Sequence, residues 1–234
     1  MRFRLLCFDL DGTLVDSQAD IRDALRVALR AVPPGDPALD EQAVNSAGLG
    51  LPLEEFFALA RPAQHAAADG SARARFIDSY RVHYHAHLLE RTRPFDGVVE
   101  SLAALHPYRA AGLKVAVATT KKTETAVRVL RGLDLAHHFD AILGTERGMP
   151  HKPAPDLLHL AARTVDRPVT SGLMVGDTDR DLRAGRAAGM KTCGVSWGVQ
   201  GKEGLSLHAP DFLIDRFPEI LALLGAPEPA SENG

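Results

Sequence analysis

The chain has 234 residues, enough for one large domain or for a core domain with a smaller inserted one. It is 45% hydrophobic and 24% charged, as is ordinary for a soluble globular protein, and 27 Lys and Arg against 30 Asp and Glu give a net charge of -3. This charge gives no electrostatic reason to expect nucleic acid or an acidic membrane as a partner.

Cysteine usage and hydropathy indicate where the protein works. Cys7 and Cys193 lie in apolar runs, so we expect buried, reduced thiols and no disulfide framework. The first apolar run is short and is interrupted by Asp9, which makes a poor signal peptide. No stretch approaches the roughly 20 apolar residues of a membrane span. We therefore expect a cytoplasmic protein.

The first predicted element is a buried strand, residues 5–8, and two carboxylates follow it directly. Asp9 and Asp11 are two residues apart, so in an extended chain their side chains point to the same face. Like charges this close need a cation or a shared proton. Gly12 permits a tight turn whose N–H groups approach a ligand. The stretch therefore suits a divalent cation together with an anionic group such as phosphate.

Between the first strand and about residue 91, the sequence predicts only helices, at about 17–31, 40–46, 52–60 and 71–90. We therefore predict an all-helical domain, residues 16–91, inserted between the two parts of a core domain, 1–15 and 92–226. Residues 227–234 are predicted to be a disordered tail.

After residue 94 the pattern alternates between helices and strands. Helices are predicted at about 96–105, 122–132 and 154–164, then after Asp177 up to Ala188, and at 217–224. Strands are predicted at 113–118, 141–143, 173–175, 192–195 and 211–214. This alternation predicts an α/β fold with a doubly wound, mostly parallel sheet covered on both faces.

Polar residues stand where three of these strands end: Asp9 and Asp11 after the first, Thr119 and Lys121 after the second, and Asp177 after the fourth. In open parallel sheets, ligands bind beyond the carboxyl ends of the strands, so these residues are expected to meet along one edge. Lys152 can join them from a proline-stiffened turn, residues 151–155.

These motifs resemble those of haloacid dehalogenase-type phosphatases, and most closely the phosphoglycolate phosphatase subgroup. Four motifs occur in the family's order, and the resemblance covers residues 3 to about 220: Asp9-Leu10-Asp11-Gly12-Thr13, Thr119 with Lys121, Lys152-Pro153, and Gly176-Asp177-Thr178-Asp179-Arg180-Asp181. The helical insertion corresponds to the family's cap domain. Residues 48–52, Gly-Leu-Gly-Leu-Pro, resemble a loop in the caps of that subgroup.

The resemblance implies that Asp9 is the nucleophile and Asp11 the general acid and base. It implies an Mg²⁺ ion held by Asp9, the carbonyl group of Asp11 and Asp177. Lys152 would offset the repulsion between Asp9 and the phosphate. Asp181 would orient water or Lys152 from the following helix.

The resemblance also implies a set of phosphate contacts from Leu10, Gly12, Thr119, Thr120 and Lys152. Thr119 belongs to the catalytic set as well. Thr120 departs from the subgroup, which often has Asn at this position. Its hydroxyl has a shorter reach, so the difference bears on the substrate contact and not on the reaction class.

The implied function is Mg²⁺-dependent hydrolysis of a small phosphate monoester through an aspartyl-phosphate, with phosphoglycolate as the leading substrate. A sugar-phosphate mutase of the β-phosphoglucomutase type and a pyrophosphatase would use the same residues. A catalytically idle relative that only binds phosphate is the alternative from another class. We expect a small phosphorylated metabolite as partner, neither nucleic acid nor membrane, and a monomer or homodimer.

Other patterns have simpler explanations. Gly194–Gly198 matches the nucleophile elbow of serine hydrolases, but no strong helix start follows Ser196. Asp177–Asp181 begins like an EF-hand loop that then lacks the required Gly and Glu. The histidines at 83, 85 and 87 show no carboxylate or Cys partner, so a solvated helix is favoured over a metal site.

Overall fold

The computed structural model of the chain describes residues 1–33, 37–47, 50–66 and 70–226. The predicted tail, residues 227–234, lies outside the described residues, as do Gly48 and Leu49 of the cap-loop pattern. The chain divides into two compact units, one of residues 1–16 and the chain from Pro94 onward, the other of residues Ser17–Arg93. The first core segment ends one residue later than predicted, and the second begins two residues later than predicted.

The strands in chain order are β1 (Leu5–Phe8), β2 (Val15–Asp16), β3 (Arg93–Pro94), β4 (Lys114–Thr119), β5 (Ala141–Gly144), β6 (Gly172–Gly176), β7 (Lys191–Val195) and β8 (Phe212–Ile214). Within the described residues, six of them form one sheet in the order β5-β4-β1-β6-β7-β8. Neighbouring strands in this sheet are parallel, and β1 lies between β4 and β6. The chain therefore builds the sheet outward from β1 in both directions, which places a ligand-binding crevice at β1.

In the unit Ser17–Arg93, the regular secondary structure of the described residues up to Thr92 is entirely helical. Its helices are α1 (Gln18–Arg30), α2 (Pro37–Ala47), α3 (Leu53–Ala60), α4 (Pro62–His65) and α5 (Ser71–Ala86). The predicted helix 71–90 is too long, because the chain beyond Ala86 is held by Asp20. The Asp20 carboxylate accepts the N–H groups of Arg91 and Thr92, at 3.1 and 2.9 Å, and the Thr92 hydroxyl at 2.7 Å.

His87, which directly follows α5, has a carboxylate partner, contrary to the sequence interpretation. The Nδ1 atom of His87 lies 2.6 Å from the Glu90 carboxylate, and the rings of His83 and His87 are 4.3 Å apart. His87 and Glu90 are three positions apart, a spacing that can be read from the sequence.

The helices of the other unit are α6 (Val98–Ala104), α7 (His106–Ala110), α8 (Thr123–Gly132), α9 (Asp156–Thr164), α10 (Asp179–Ala188), α11 (Gly201–Ser206) and α12 (Glu219–Leu224). Short 3-10 helices cover Ala136–His138 and Val169–Ser171. The helix predicted at 96–105 corresponds to α6, whereas α7 was not predicted. Pro107 lies in the first turn of α7, where its missing N–H costs no helical hydrogen bond.

The core of this unit forms because β1 is apolar on both faces, and all four of its residues are buried. Leu5 and Cys7 pack with Leu158 and Ala161 of α9 and with Met174 of β6 in one buried cluster. A strand that is apolar on both sides fits a parallel sheet with helices on each face. The structure therefore confirms the predicted doubly wound α/β fold.

Two further expectations concern thiols and hydropathy. Cys7 and Cys193 are buried and unbridged, as predicted, and burial raises the pKa of each thiol to about 12. Among the described residues, no helix combines the length and apolar character that a membrane crossing requires.

Candidate active site

The candidate site lies at the carboxyl end of β1 and of its two neighbours. Asp9 directly follows β1, Thr119 ends β4, and Asp177 directly follows β6. Because β1 pairs with β4 on one side and with β6 on the other, these residues stand on adjacent strand ends. The edge that the strand pattern predicts therefore exists, and Lys152 reaches it from the segment between β5 and α9.

Lys152 joins two carboxylates inside this edge. Its Nζ donates to Asp9 Oδ1 at 2.6 Å and to Asp181 Oδ1 at 2.5 Å, and only 2% of its side chain is exposed. Burial alone would lower the pKa of Lys152, but the charges of Asp181 and Asp9 outweigh burial and raise it. The lysine is therefore a fixed positive charge beside Asp9.

Asp181 is fixed by the start of α10. Its Oδ2 accepts the Thr178 backbone N–H at 3.1 Å, as part of a capping box, and also accepts the Thr178 hydroxyl at 2.6 Å. With Lys152 on its other oxygen, Asp181 is held at both ends. The acidic pattern Asp177–Asp181, which begins like an EF-hand loop, therefore leads into the start of this helix.

Asp177 is fully buried and is held by groups from two other segments. Thr13 Oγ1 donates to its Oδ1 at 3.3 Å, and the backbone N–H of Val199 donates to its Oδ2 at 2.8 Å. Burial, together with the charges of Asp181 and Asp9, raises its pKa well above the ordinary value. The protein thus holds this carboxylate where it is costly to ionise without a cation.

Asp9 is also costly to ionise. Burial raises its pKa to about 7 and the charge of Asp181 adds to that effect, although Lys152 acts in the opposite direction. Within the described residues, one carboxylate oxygen each of Asp9, Asp177 and Asp181 lie within 4.8 Å of one another. Like charges this close favour a bound cation, and a set of oxygen donors suits Mg²⁺.

The residues therefore fit a divalent cation. Because Asp181 is already occupied by Lys152 and Thr178, Asp9 and Asp177 are the carboxylates best placed to bind it. An ionised carboxylate has about four acceptor positions, so Asp177 can keep its two hydrogen bonds and still bind a metal.

Gly12 contributes to this pocket through its missing side chain. Its φ is +83°, and a Cβ atom there would lie 2.2 Å from Asp177 Oδ2. Its N–H, which was expected to contact phosphate, donates to the Val15 carbonyl at 2.9 Å. The carbonyl of the buried Leu10 accepts the N–H of Leu14 at 2.9 Å and so closes the same turn.

Asp11 faces a second lysine. Lys121 Nζ lies 3.2 Å from Asp11 Oδ2, with 9% of the lysine side chain and 22% of the aspartate side chain exposed. The buried hydroxyl of Thr119 accepts the backbone N–H of Lys121 at 3.2 Å, and the half-buried Thr120 stands between them. The structure thus brings Asp11, Thr119 and Thr120 to the same edge as Asp9.

Sequence reasoning missed the segment that follows β7, residues 197–200. The indole N–H of Trp197 donates to the Thr13 carbonyl at 3.2 Å, while Val199 holds Asp177 as described. A Cβ atom on Gly198 would lie 2.2 Å from Asp177 Cβ, so a glycine is required there. The sequence feature that could have identified this segment is a glycine-containing turn at the carboxyl end of another parallel strand.

Ser196, which directly precedes this segment, has surroundings that differ from those of a hydrolase nucleophile. Ser196 Oγ donates to Asp215 Oδ1 at 2.8 Å on the surface. Gln200 and Asp179 exchange two hydrogen bonds, of 2.7 and 2.9 Å, which tie the segment to the start of α10. The Gly194–Gly198 pattern is therefore the end of β7 and the turn after it, and this turn supports the acidic cluster.

Comparison with known proteins agrees with this geometry. Residues 6–195 match the family model for haloacid dehalogenase-like hydrolases. The chain is 35% identical over 225 residues to the probable phosphatase IndB of Dickeya dadantii (strain 3937), and the match covers 93% of this chain and 91% of that protein. It is 29% identical over 225 residues to the pyrophosphatase PpaX of Halalkalibacterium halodurans, with 96% and 98% covered.

A solved structure adds the three-dimensional likeness. The crystal structure of a predicted phosphoglycolate phosphatase from Haemophilus somnus aligns with a TM-score of 0.79 and 26% identity, over 96% of this chain and 99% of that chain. The family match covers most of the chain, including β1, β4, β6 and the residues that follow them. The protein therefore belongs to the haloacid dehalogenase-like hydrolase family.

Proposed function

We propose that this protein is a Mg²⁺-dependent phosphatase that hydrolyses a small phosphate monoester through a phosphoryl group bonded transiently to Asp9. The observation that carries the proposal is the surrounding of Asp9. Its carboxylate lies at a strand end, 2.6 Å from a buried ammonium group and beside two further carboxylates. This arrangement suits a nucleophile that must approach a dianion.

The first step uses Asp9 and Asp11. An oxygen of the Asp9 carboxylate attacks phosphorus, and the bond from phosphorus to the ester oxygen breaks. Asp11 donates a proton to that oxygen, so the product leaves as a neutral hydroxyl group. Lys152 stays bound to Asp9 and offsets the repulsion between the carboxylate and the incoming phosphate.

The second step returns the enzyme to its starting state. Water attacks phosphorus, Asp11 takes a proton from that water, and the bond between phosphorus and Asp9 breaks. Inorganic phosphate leaves. Thr119 can assist in both steps, because its hydroxyl accepts the Lys121 N–H and keeps its own hydrogen for a phosphate oxygen.

Asp9, Asp177 and the carbonyl of Asp11 would hold the Mg²⁺ ion, which supplies positive charge to the transferring phosphoryl group when bound. Asp181 positions Lys152, since its carboxylate is held by Thr178 on one oxygen and receives the lysine on the other. Thr178 and Val199 thus support the reaction from outside the reacting atoms.

Phosphoglycolate is the substrate we propose first, on the likeness of the motifs and on the structural match to the Haemophilus somnus protein. Pyrophosphate is the second candidate, because the pyrophosphatase PpaX is similar to the chain over almost its whole length. Both compounds carry a phosphoryl group on a small, negatively charged leaving group.

The test is release of inorganic phosphate from phosphoglycolate, pyrophosphate, β-glucose 1-phosphate and a panel of other monoesters, with Mg²⁺ and with EDTA. We expect Mg²⁺-dependent release, fastest from one of the first two compounds. Conversion of β-glucose 1-phosphate to glucose 6-phosphate without net release would identify a mutase. Binding of phosphate without turnover of any compound would identify an idle relative.

A further inference from the structure

Lys121 is a cation at the candidate site to which the proposed reaction gives no task. It follows the end of β4 by two residues, and its ammonium lies 3.2 Å from Asp11 Oδ2. Only 9% of its side chain is exposed. A lysine held this deeply loses solvation, which is costly unless the charge is used or paired.

The backbone of Lys121 is fixed on two sides. Its N–H donates to Thr119 Oγ1 at 3.2 Å, and its carbonyl accepts the Thr145 N–H at 3.1 Å. A Cβ atom on Gly144 would lie 2.1 Å from that carbonyl, so the neighbouring strand packs directly against it. The adjacent Lys122 is exposed instead and precedes the first residue of α8. The fold therefore aims one lysine of the pair into the site.

The position of Lys121 relative to the substrate follows from that of Asp11. A proton donor and its acceptor oxygen are about 2.7 Å apart. Asp11 must approach the ester oxygen this closely, so the Lys121 ammonium, 3.2 Å from Asp11 Oδ2, lies within about 6 Å of the ester oxygen when Oδ2 is the donating atom. An anionic group one or two bonds beyond the ester oxygen comes into direct reach of Lys121. Lys152 contacts two buried carboxylates, Asp9 and Asp181, and so serves the attacking group.

We propose that Lys121 makes the enzyme select phosphate compounds whose leaving group carries a negative charge next to the bridging oxygen. A carboxylate and a second phosphate share this chemistry. The role rests on the proposed phosphoryl transfer and deepens it, because it names the side of the site that recognises the leaving group. Lys121 is a specificity residue in this account, and Asp11 remains the proton donor.

The test compares kcat/KM for phosphoglycolate, pyrophosphate and 2-hydroxyethyl phosphate, which is the neutral counterpart of phosphoglycolate. The proteins are the wild type, Lys121→Met, Lys121→Arg and the matched control Lys122→Met, all with Mg²⁺. We expect the wild type to prefer at least one anionic compound over the neutral one by about tenfold or more, as charge-assisted contacts allow. Lys121→Met should lose most of this preference, Lys121→Arg should keep part of it, and Lys122→Met should keep all of it.

The outcomes test the selection role of Lys121 separately from the proposed phosphatase activity. If Lys121→Met slows all three compounds by the same factor, Lys121 only supports Asp11 and the selection role is wrong. An absent preference in the wild type also overturns it, while leaving the phosphatase proposal intact. If the wild type releases phosphate from none of the compounds, both proposals fail. The compound whose preference is lost identifies the anion, carboxylate or phosphate, that Lys121 contacts.

Discussion

The ammonium of Lys152 lies 2.6 Å from a carboxylate oxygen of Asp9, although 143 positions separate the two residues in the chain. Both side chains are buried, and the same ammonium contacts Asp181. One positive charge therefore faces two carboxylates, with Asp177 close by. The site holds more negative than positive charge until a cation or a proton joins it, and the stability and metal dependence of the protein follow from that imbalance.

Replacing Lys152 by Met should damage both activity and stability. Breaking a buried ion pair by removing one partner costs about 3–5 kcal/mol, because the remaining charge has no compensation. We expect a loss of that size in the free energy of unfolding, measured by urea denaturation without metal, and loss of Mg²⁺-dependent phosphate release. Lys202→Met removes an exposed surface pair with Asp215 and should change neither property measurably. Equal stability of the two variants would contradict this account of the buried pair.

The raised pKa of Asp9 predicts a pH dependence of stability in the metal-free protein. The folded protein keeps the Asp9 proton up to about pH 7, whereas the ordinary pKa of an aspartate is 3.8. Between these values the folded state binds more protons than the unfolded state, so the contribution of Asp9 to stability falls as pH rises and levels off above pH 7. Asp177 acts in the same direction, since its pKa is also raised.

The measurement for this prediction is the difference in unfolding free energy between the wild type and Asp9→Asn, from pH 4 to 8 in EDTA. As pH rises, we expect the free energy of unfolding of the wild type to fall relative to that of Asp9→Asn, by an amount on the order of 2–4 kcal/mol. Saturating Mg²⁺ should flatten the change, because the cation replaces the proton as the neutralising group. A difference that moves in favour of the wild type with rising pH would show that the sign is wrong.

Asp177→Asn should remove the stabilisation that Mg²⁺ gives to the folded protein. A ligand at about 100 times its Kd stabilises by about 2.7 kcal/mol, which is measurable as a rise in Tm. The matched control is Asp179→Asn, since Asp179 is two residues away and bonds to Gln200 instead. We expect the Mg²⁺-dependent rise in Tm to vanish in Asp177→Asn and to persist in Asp179→Asn. A rise in Tm that persists in Asp177→Asn and vanishes in Asp179→Asn would show that Asp177 does not bind the metal.

Gly12→Ala tests whether the first turn is shaped around Asp177. The substitution combines a positive φ with a Cβ atom 2.2 Å from Asp177 Oδ2. Gly148→Ala is the control, because Gly148 has almost the same φ, +84°, and a Cβ atom added there would meet no described atom within 4 Å. The control should lose only the backbone cost of about 1–2 kcal/mol. Gly12→Ala should lose more than that and should also lose Mg²⁺ binding, as followed by calorimetry.

The large-scale arrangement of the site was predictable from the sequence. Apolar runs identified the strands. The rule that ligands bind at the carboxyl ends of parallel strands then predicts that Asp9, Thr119 and Asp177 lie together. The structure confirms the doubly wound sheet and adds the distances. The short helix α7, which was not predicted, was also readable, because Pro107 suits the first turn of a helix.

The contacts between distant segments were not predictable. Lys121 and Asp11 are paired because their strands are neighbours, and nothing in the spacing of either motif shows that pairing. Val199 holds Asp177 through a backbone N–H, which almost any residue type provides, so its sequence identity carries no signal. The position of β7 beside β6 creates that contact, and only the assembled sheet reveals it.

The most direct test of the central claim is phosphate release by Asp9→Asn beside the wild type, with Mg²⁺ and the best substrate from the panel. The account predicts that Asp9→Asn still folds and binds Mg²⁺ through Asp177, yet releases phosphate no faster than the uncatalysed background, because position 9 no longer carries the carboxylate that takes the phosphoryl group. Turnover by Asp9→Asn at the wild-type rate would contradict it.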